Sequence, residues 1–421
     1  MNNALGIIIV LTGIAFSIAL HELGHFLPAR RFGVKVTQFM VGFGPTLWSR
    51  RRGETEYGIK LIPLGGYIRM VGMFPPARAG RQLRGRFAAA IERAREDSLA
   101  EISESDQGRE FWRLPVRRRL VIMAGGPLMN LLLCFVMFGI TVMGIGNPVA
   151  TSRLDQVVAC VPTEANPEGL ASVDGGCAGG ERSFAATQGL RVGDVITAID
   201  GRPVKTWADV TKQVRPNPGK SVVVTVQREG DMIVTFNGVL PTRTVEGKKY
   251  GFLGAVATID YERGTAGQVV STISELTTSS VQALIALPMS VVKLTASLVT
   301  GEPRQATGPV SVVGIADVGG QIADSGADAR GIISMFLALL GSINLFLFLF
   351  NMLPLLPLDG GHIAGGVFEA VRRFFARLRG RPDPGPVDTA RMLPIAYVVA
   401  TLLILMSVVV MFADIFRPIS M

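Results

Sequence analysis

Four long apolar runs set the architecture of this chain. They extend from residue 4 to about 26, from 120 to about 145, from 331 to about 353 and from 392 to about 412. Each run is long enough to cross the hydrocarbon core of a bilayer as an α-helix. The pattern therefore predicts a polytopic α-helical membrane protein with four transmembrane helices.

Arginine-rich flanks orient these runs. Such flanks follow the first and third runs and precede the second and fourth. Because positive residues are retained on the cytoplasmic side, they predict that both termini lie outside and that residues 147–330 are extracytoplasmic.

A fifth apolar run, residues 281–299, complicates this count because it contains Pro288 and Lys293. If it crossed the bilayer, Arg372 and the arginines that follow it would move outside, against the positive-inside rule. We therefore predict that this run lies on or against the membrane surface.

Two patterns shorter than a span lie on the predicted cytoplasmic side. Residues 34–41 and 56–62 have strand character; a turn or re-entrant signal at 42–45 separates them, and 63–66 closes the second. They predict a membrane-associated β-hairpin. Beyond it, residues 78 to about 104 are rich in Arg, Ala and Glu, which is typical of an amphipathic helix facing solvent or headgroups.

The predicted outer segment contains a small α+β domain. Residues 195–199 form an apolar strand, 207–214 a short helix, and 220–228 with 232–236 a hairpin. The string G-L-R-V-G-D-V-I-T-A-I-D-G at 189–201 resembles the core of a bacterial PDZ domain. Such domains take an extended peptide as an added strand.

Charge and cysteine content add two points to the predicted membrane architecture: one concerns nucleic acid as a partner, the other the redox compartment. The net charge of +9 would by itself suit nucleic acid, but the basic residues concentrate beside the apolar runs, so we expect no nucleic-acid partner. Cys134 lies in an apolar run and is expected to be inert packing. Cys160 and Cys177 lie in the predicted outer segment, where an oxidising compartment permits a disulfide, and the sequence leaves open whether they pair.

The polar residues that carry chemistry lie inside the first run, at His21-Glu22-Leu23-Gly24-His25. Ionisable groups at membrane depth are costly and usually functional. Positions i and i+4 share one face of a helix, so His21 and His25 can bind one metal ion, with Glu22 beside it as a proton acceptor. Removing this run as a signal peptide would remove the motif, so we predict that it is a retained span.

A third ligand is needed, because catalytic zinc usually takes three protein ligands and a water. The third run ends where Pro354 and Pro357 break the helix just before Asp359. Broken backbone at such depth is tolerated mainly around a protein-lined cavity, and the predicted topology places Asp359 at the depth of the two histidines. His362 is either a further ligand or, as we expect, a neighbour that supports the site.

In these motifs the chain resembles the bacterial intramembrane site-2 metalloproteases. That family carries H-E-x-x-H in its first core helix and N-x-x-P-x-x-P-x-x-D-G, or a close variant, in its third; here they correspond to residues 21–25 and 351–360. The family's G-P-x-x-N matches 126–130, its G-P-[IV]-[SG] matches 308–311, and its hairpin resembles 34–70. Better-known members carry two PDZ domains, whereas this chain has room for one.

The resemblance implies that His21, His25 and Asp359 bind Zn2+ and that Glu22 is the general base. It implies an intramembrane endopeptidase of the bacterial plasma membrane with its active site near the cytoplasmic side. The expected substrates are single-pass membrane proteins already trimmed by an upstream site-1-type protease, such as anti-sigma factors or remnant signal peptides.

Two asparagines are further candidates for substrate binding. By the resemblance, Asn351 helps to hold the substrate backbone. Asn130, in the second span, either lies at or near the site or only bonds a neighbouring helix. Asn344 is expected to serve helix packing.

The predicted fold class is a polytopic α-helical membrane protein with four transmembrane helices, a membrane-associated β-hairpin and an inserted extracytoplasmic α+β PDZ domain. Its predicted segments are transmembrane helix 1 (1–30), a cytoplasmic region with the hairpin (31–118), transmembrane helix 2 (119–147), the PDZ domain (148–258), an extracytoplasmic membrane-associated helical segment (259–330), transmembrane helix 3 with the broken segment (331–375), a cytoplasmic loop (376–390) and transmembrane helix 4 (391–415).

Two other functions remain open at the level of sequence. A non-catalytic membrane scaffold could bind peptide termini through its PDZ domain; it would bind no zinc and would not depend on Glu22. A metal transporter would need acidic or histidine residues along a path through the membrane, and the spans contain few.

Overall fold

Two compact units make up the computed structural model of the protein. It describes residues 2–76, 87–100, 102–163, 166, 168–170, 176–177, 180–245, 247–300 and 308–416. One unit combines the chain up to Gly144 with the chain from Thr265 onward, and the other comprises Ile145–Gly264.

The α-helices of the described residues fall into long apolar helices and shorter polar or amphipathic ones. In chain order they are α1 Asn2–Arg31, α2 Ala88–Ala100, α3 Val116–Gly139, α4 Phe184–Gln188, α5 Trp207–Val214, α6 Ala266–Thr300, α7 Val312–Ala323, α8 Ala329–Asn351, α9 Asp359–Leu378 and α10 Leu393–Phe416.

The β-strands form one sheet in the first unit and two in the second. In chain order they are β1 Val36–Arg52, β2 Thr55–Met70, β3 Asn147–Val157, β4 Val195–Ile199, β5 Arg202–Pro203, β6 Ser221–Arg228, β7 Met232–Val239, β8 Thr242–Val245, β9 Lys248–Gly251 and β10 Ala255–Glu262.

Five helices in the described part of the chain are long and apolar enough to cross a bilayer. They are α1, α3 with its π-helical extension to Ile145, α6, α8, and α10 with the 3-10 turn before it. The polytopic membrane class is thereby confirmed. The run 281–299 is part of the continuous helix α6, so length and composition admit a fifth span, and the count of four remains a prediction.

Small residues allow the helices of the first unit to approach closely. A Cβ on Gly24 would overlap the carbonyl oxygen of Gly125, and one on Gly6 would overlap that of Gly319. Helix α1 therefore contacts α3 and α7 backbone to backbone, as membrane helices do at small residues. The fully buried Asn344 donates from Nδ2 to Ser17 Oγ at 2.9 Å, which links α8 to α1 and confirms its predicted packing role.

The predicted hairpin is a folded sheet of four segments. Its turn lies at Gly53 and Glu54, and both strands continue through the glycines that the sequence analysis interpreted as a turn and a strand end. Residues 38–41 pair on one side with 66–69 and on the other with 56–59, and 48–52 pair with 55–59. Gly42 and Gly44, with φ of 95° and 83°, allow β1 to bend where the sequence predicted a turn.

The helix predicted at 78–104 is present as α2, while residues 77–86 lie outside the described ranges. One face of α2 is not solvated. Arg95 is only 2% exposed, and its guanidinium pairs with Asp388 at 2.8 Å and with Glu92 at 2.6 Å. The helix is therefore docked on the segment that follows α9.

The second unit contains the elements predicted for it. The strand β4, the helix α5 and the hairpin of β6 and β7 coincide with the predicted ones, and the main sheet has the order β10-β3-β4-β6-β7. Arg228 binds both carboxylate oxygens of Asp194 at 2.8 Å. Burial favours the neutral acid, but this guanidinium holds the pKa of Asp194 below its ordinary value.

A disulfide joins Cys160 to Cys177, which settles the question that the sequence left open. Cys134 is free and fully buried among apolar side chains of the first unit, as predicted. The predicted boundaries 148–258 lie inside the second unit, and its identification as a PDZ domain remains a prediction.

Candidate metal centre

Three side chains from opposite ends of the chain meet in the first unit. His21 and His25 lie one turn apart on α1, and Asp359 is the first residue of α9. The Nε2 atoms of the two histidines are 3.2 Å apart, and each lies 3.3 Å from Oδ2 of Asp359. Among the described residues, these three side chains form a group whose ligand atoms lie close enough together to hold one metal ion.

A hydrogen bond from the ring nitrogen that faces away from the cluster fixes the orientation of His25. Its Nδ1 donates to the carbonyl oxygen of Ile122 on α3 at 2.7 Å. Because a carbonyl can only accept, Nδ1 carries the proton and Nε2 directs a lone pair into the cluster. Such a bond to the distal nitrogen is typical of metal-binding histidines. The Nδ1 of His21 is buried and has no partner among the described residues.

Helix α3 leaves room for the cluster at one glycine. A Cβ on Gly126 would overlap Nε2 of His25 and would lie 2.7 Å from Nε2 of His21. Any larger residue would therefore fill the space in which the three ligand atoms converge.

The connection that follows α8 positions the carboxylate of Asp359. Residues 352–358 form a tight connection, and α9 begins directly at Asp359. A Cβ on Gly361 would lie 2.6 Å from the backbone nitrogen of Leu356, and one on Gly360 would overlap the Leu353 carbonyl oxygen. The two glycines therefore let the first turn of α9 pack against the connection that precedes it.

The donor set fits zinc. Tetrahedral Zn2+ with nitrogen and oxygen ligands at about 2.1 Å has ligand–ligand edges of about 3.4 Å. The three observed separations of 3.2–3.3 Å match these edges. Two imidazole lone pairs and a carboxylate oxygen so close together repel one another unless a metal cation or a proton lies between them.

Glu22 adjoins the cluster and is only 7% exposed. The backbone N–H of Ile68 lies near its carboxylate. A Cβ on Gly66 would lie 2.8 Å from Cγ of Glu22, so the 66–70 edge of the sheet passes directly beside this side chain.

The three other residues predicted at or near the site each have different surroundings. Asn130 is fully buried on α3, one turn after Gly126, and neither atom of its amide has a partner in the described part of the chain. Asn351 is the half-buried last residue of α8. His362 is outside the cluster and lines a small cavity between α9 and α3.

An ion pair that the sequence pattern did not predict links α9 to α3. Glu369 is fully buried; its Oε1 lies 2.5 Å from Arg119 and 3.0 Å from Arg373, and its Oε2 accepts from the Val387 amide at 2.9 Å. The one available signal was an acidic residue in an otherwise basic amphipathic segment.

We expect Arg119→Ala to lower the apparent melting temperature, because it leaves the Glu369 carboxylate buried without its partner on α3. Breaking a buried pair in this way costs about 3 kcal/mol. Thermal unfolding of the purified protein in detergent measures the change. The control is Arg373→Ala, which removes a partner within α9 but keeps the bond to α3; equal losses in both variants would contradict the interpretation.

A polytopic membrane protein in which a partly buried His-His-Asp cluster adjoins a glutamate has the arrangement of a membrane metallopeptidase. The chain belongs to peptidase family M50, whose sequence pattern matches residues 9–381. It is 33% identical to the zinc metalloprotease Rip1 of Mycobacterium tuberculosis, over 99% of this chain and 98% of that protein. It is 30% identical to Rip1 of Mycolicibacterium smegmatis, over 100% and 99% of the two chains. It is 27% identical to the regulator of sigma-W protease RasP of Bacillus subtilis, over 88% and 91%.

Proposed function

We propose that the protein is an intramembrane zinc endopeptidase that cleaves single-pass transmembrane substrates. The observation that carries this proposal is the convergence of Nε2 of His21, Nε2 of His25 and Oδ2 of Asp359 within 3.3 Å of one another. Family membership and the zinc metalloproteases among the relatives support it. A non-catalytic scaffold would not require such a cluster.

In this proposal His21, His25 and Asp359 would hold Zn2+, which would supply Lewis-acid polarisation of the scissile carbonyl and of the attacking water. Glu22 is the general base: it takes the proton of the water and passes it to the leaving amine. Its burial keeps competing bulk water from the carboxylate, and the 66–70 edge of the sheet lies beside it.

The substrate must be unwound before it is cut, because a transmembrane helix hides its own amides. The 66–70 edge of the sheet lies beside Glu22, so an extended segment that adds to this edge would present its peptide bonds to the base. We infer that the sheet holds the unwound strand there.

Asn130 and Asn351 are the proposed substrate-binding residues. Side chains on a helix lean toward its N-terminus, so Asn130 leans toward the turn of Gly126 and hence toward the two histidines. Its buried amide, without a partner in the described residues, offers one donor side and one acceptor side, as a peptide group requires.

We expect Asn130→Leu to reduce cleavage of a single-pass substrate at least tenfold without loss of zinc, because a substrate hydrogen bond of about 1.5 kcal/mol is removed. Cleavage rates and metal content of the purified protein measure the two effects. The matched variant Asn344→Leu removes a similar buried amide, which donates to Ser17 on α1 and to the Leu340 carbonyl within α8, and should lower stability instead.

The topology and partners follow from the same proposal. Both termini and the second unit lie outside, and the metal centre lies toward the cytoplasmic side of the plasma membrane. The second unit acts as a PDZ domain that screens substrates already trimmed by a site-1-type protease. Anti-sigma factors are the expected substrates, in line with the sigma-W regulation in the name of RasP.

Metal removal tests the function directly. We expect a chelator to abolish cleavage of a single-pass substrate by the reconstituted protein, and stoichiometric zinc to restore it, because the cluster supplies three ligands from two helices. A substrate with a proline-free polyleucine span serves as the uncleaved control. Full cleavage by protein that contains no metal would refute the proposal.

A further inference from the structure

Helix α9 has two opposite faces, only one of which packs against the part of the protein that the structure describes. Its packed face holds the buried Glu369 and the close contact of Gly366, on which a Cβ would lie 2.9 Å from Leu120 of α3. The other face is formed by large apolar side chains that are between 47% and 66% exposed. This stripe comprises Val367, Phe368, Val371, Phe374, Phe375 and Leu378.

The stripe is continuous. At 100° per residue these six side chains fall within an arc of about 120°, which is the width of a helix face that is buried in an apolar phase. Exposed patches of this kind mark an interaction surface. The helix itself is too charged to cross a bilayer, since Glu369, Arg372, Arg373 and Arg377 lie within it, and it is absent from the candidate spans found in the described residues.

We propose that α9 is an interfacial helix whose apolar stripe inserts into the bilayer leaflet nearest the metal centre. This inference goes beyond the proposed protease function and would hold for a protein without activity. It assigns a lipid-binding surface to the element whose first residue is Asp359.

The position of α9 in the chain indicates that the bilayer, and not another protein surface, contacts the apolar stripe. It follows α8 after seven residues, 352–358, and it is followed by α10, and both of these helices are candidate spans. It also packs on Leu120, in the second turn of the candidate span α3. A helix held between the ends of three such helices lies at a membrane surface, where an apolar face meets acyl chains.

The charges complement this surface. Arg377 and Arg379 are exposed; at 100° per residue Arg377 lies about 60° outside one edge of the stripe, and Arg379 follows directly after the helix. Long arginine side chains at such borders extend to lipid phosphates while their stems cover apolar surface. The guanidinium of Arg379 also lies 5.8 Å from the ring centre of Phe375, within the stripe.

Spin-label accessibility tests the proposal in the full-length protein. In a Cys134→Ala background, a nitroxide is attached at Phe374→Cys and, as an independent stripe position, at Leu378→Cys. Ile404→Cys on α10, an exposed position of a candidate span, reports lipid, and Lys212→Cys on α5 of the second unit reports water. All variants are placed in phosphatidylcholine nanodiscs with a single copy per disc, so that no second copy can cover the stripe.

We expect the labels at 374 and 378 to behave as the label at 404 does: oxygen reaches them several-fold better than a water-soluble nickel chelate. The label at 212 should show the opposite preference. Nickel accessibility at 374 and 378 equal to that at 212 would overturn the proposal, and so would shielding from both reagents, which would indicate a protein cover.

The proposed contact of Arg377 and Arg379 with lipid phosphates is tested separately. Phosphatidylglycerol in the disc should move the label at 374 deeper, and the variant Arg377→Gln with Arg379→Gln should lose that shift. The same depth in neutral and anionic discs would refute the role of the two arginines.

Discussion

Glu22→Gln should abolish cleavage of a single-pass substrate while the protein keeps its zinc. Gln retains the size of Glu22, but its amide cannot accept the proton of the attacking water. General-base catalysis contributes about 10²–10⁴-fold, so cleavage should fall by at least about a hundredfold. Single-turnover cleavage in detergent and metal analysis of the same sample measure both quantities.

Glu56→Gln is the matched control for this prediction, because it makes the same chemical change on β2 outside the cluster. We expect it to cleave at the rate of the parent protein. If Glu22→Gln retained more than a tenth of the parent rate, the role of Glu22 as the base would have to be given up.

Asp359→Ala should lose stoichiometric zinc and all cleavage. Two histidines on one helix leave the ion without a third protein ligand, and the variant also removes the negative charge that balances it. Metal content after dialysis against a weak chelator is the direct measurement. Its expected value is near zero, against one ion per chain in the parent.

His362→Ala separates loss of a ligand from disturbance of α9. This histidine lies on the same helix, three residues after Asp359, but outside the cluster, so the variant should keep its zinc. If His362→Ala lost as much zinc as Asp359→Ala, His362 would have to be counted among the ligands.

The elements that local sequence signals determine were predicted correctly. The helix that carries His21 and His25, the break before Asp359, the helix α5 and the β6–β7 hairpin each follow from spacing, proline or turn residues within a few positions. The meeting of His21, His25 and Asp359 was also foreseeable, because topology gave all three a common depth.

What the sequence could not provide depends on contacts between distant segments. The bond from His25 to the Ile122 carbonyl spans 97 residues and uses a backbone atom, and the Arg119–Glu369 pair spans 250. The fold of β1 and β2 into four segments depends on where Gly42 and Gly44 bend the chain, whereas strand patterns identify only faces.

The two ends of the second unit leave it side by side. Asn147, at the start of β3, is paired with Glu262, at the end of β10, so the ends are about 5 Å apart, as paired residues in a sheet are. Because the two ends of this inserted unit are adjacent, the unit can be replaced without changing the distance between the flanking segments. A short glycine linker, or another domain with adjacent termini, could replace residues 147–262 while the same separation between Gly146 and Arg263 is kept. Such a replacement would separate the substrate screening proposed for the second unit from the proposed catalysis in the first.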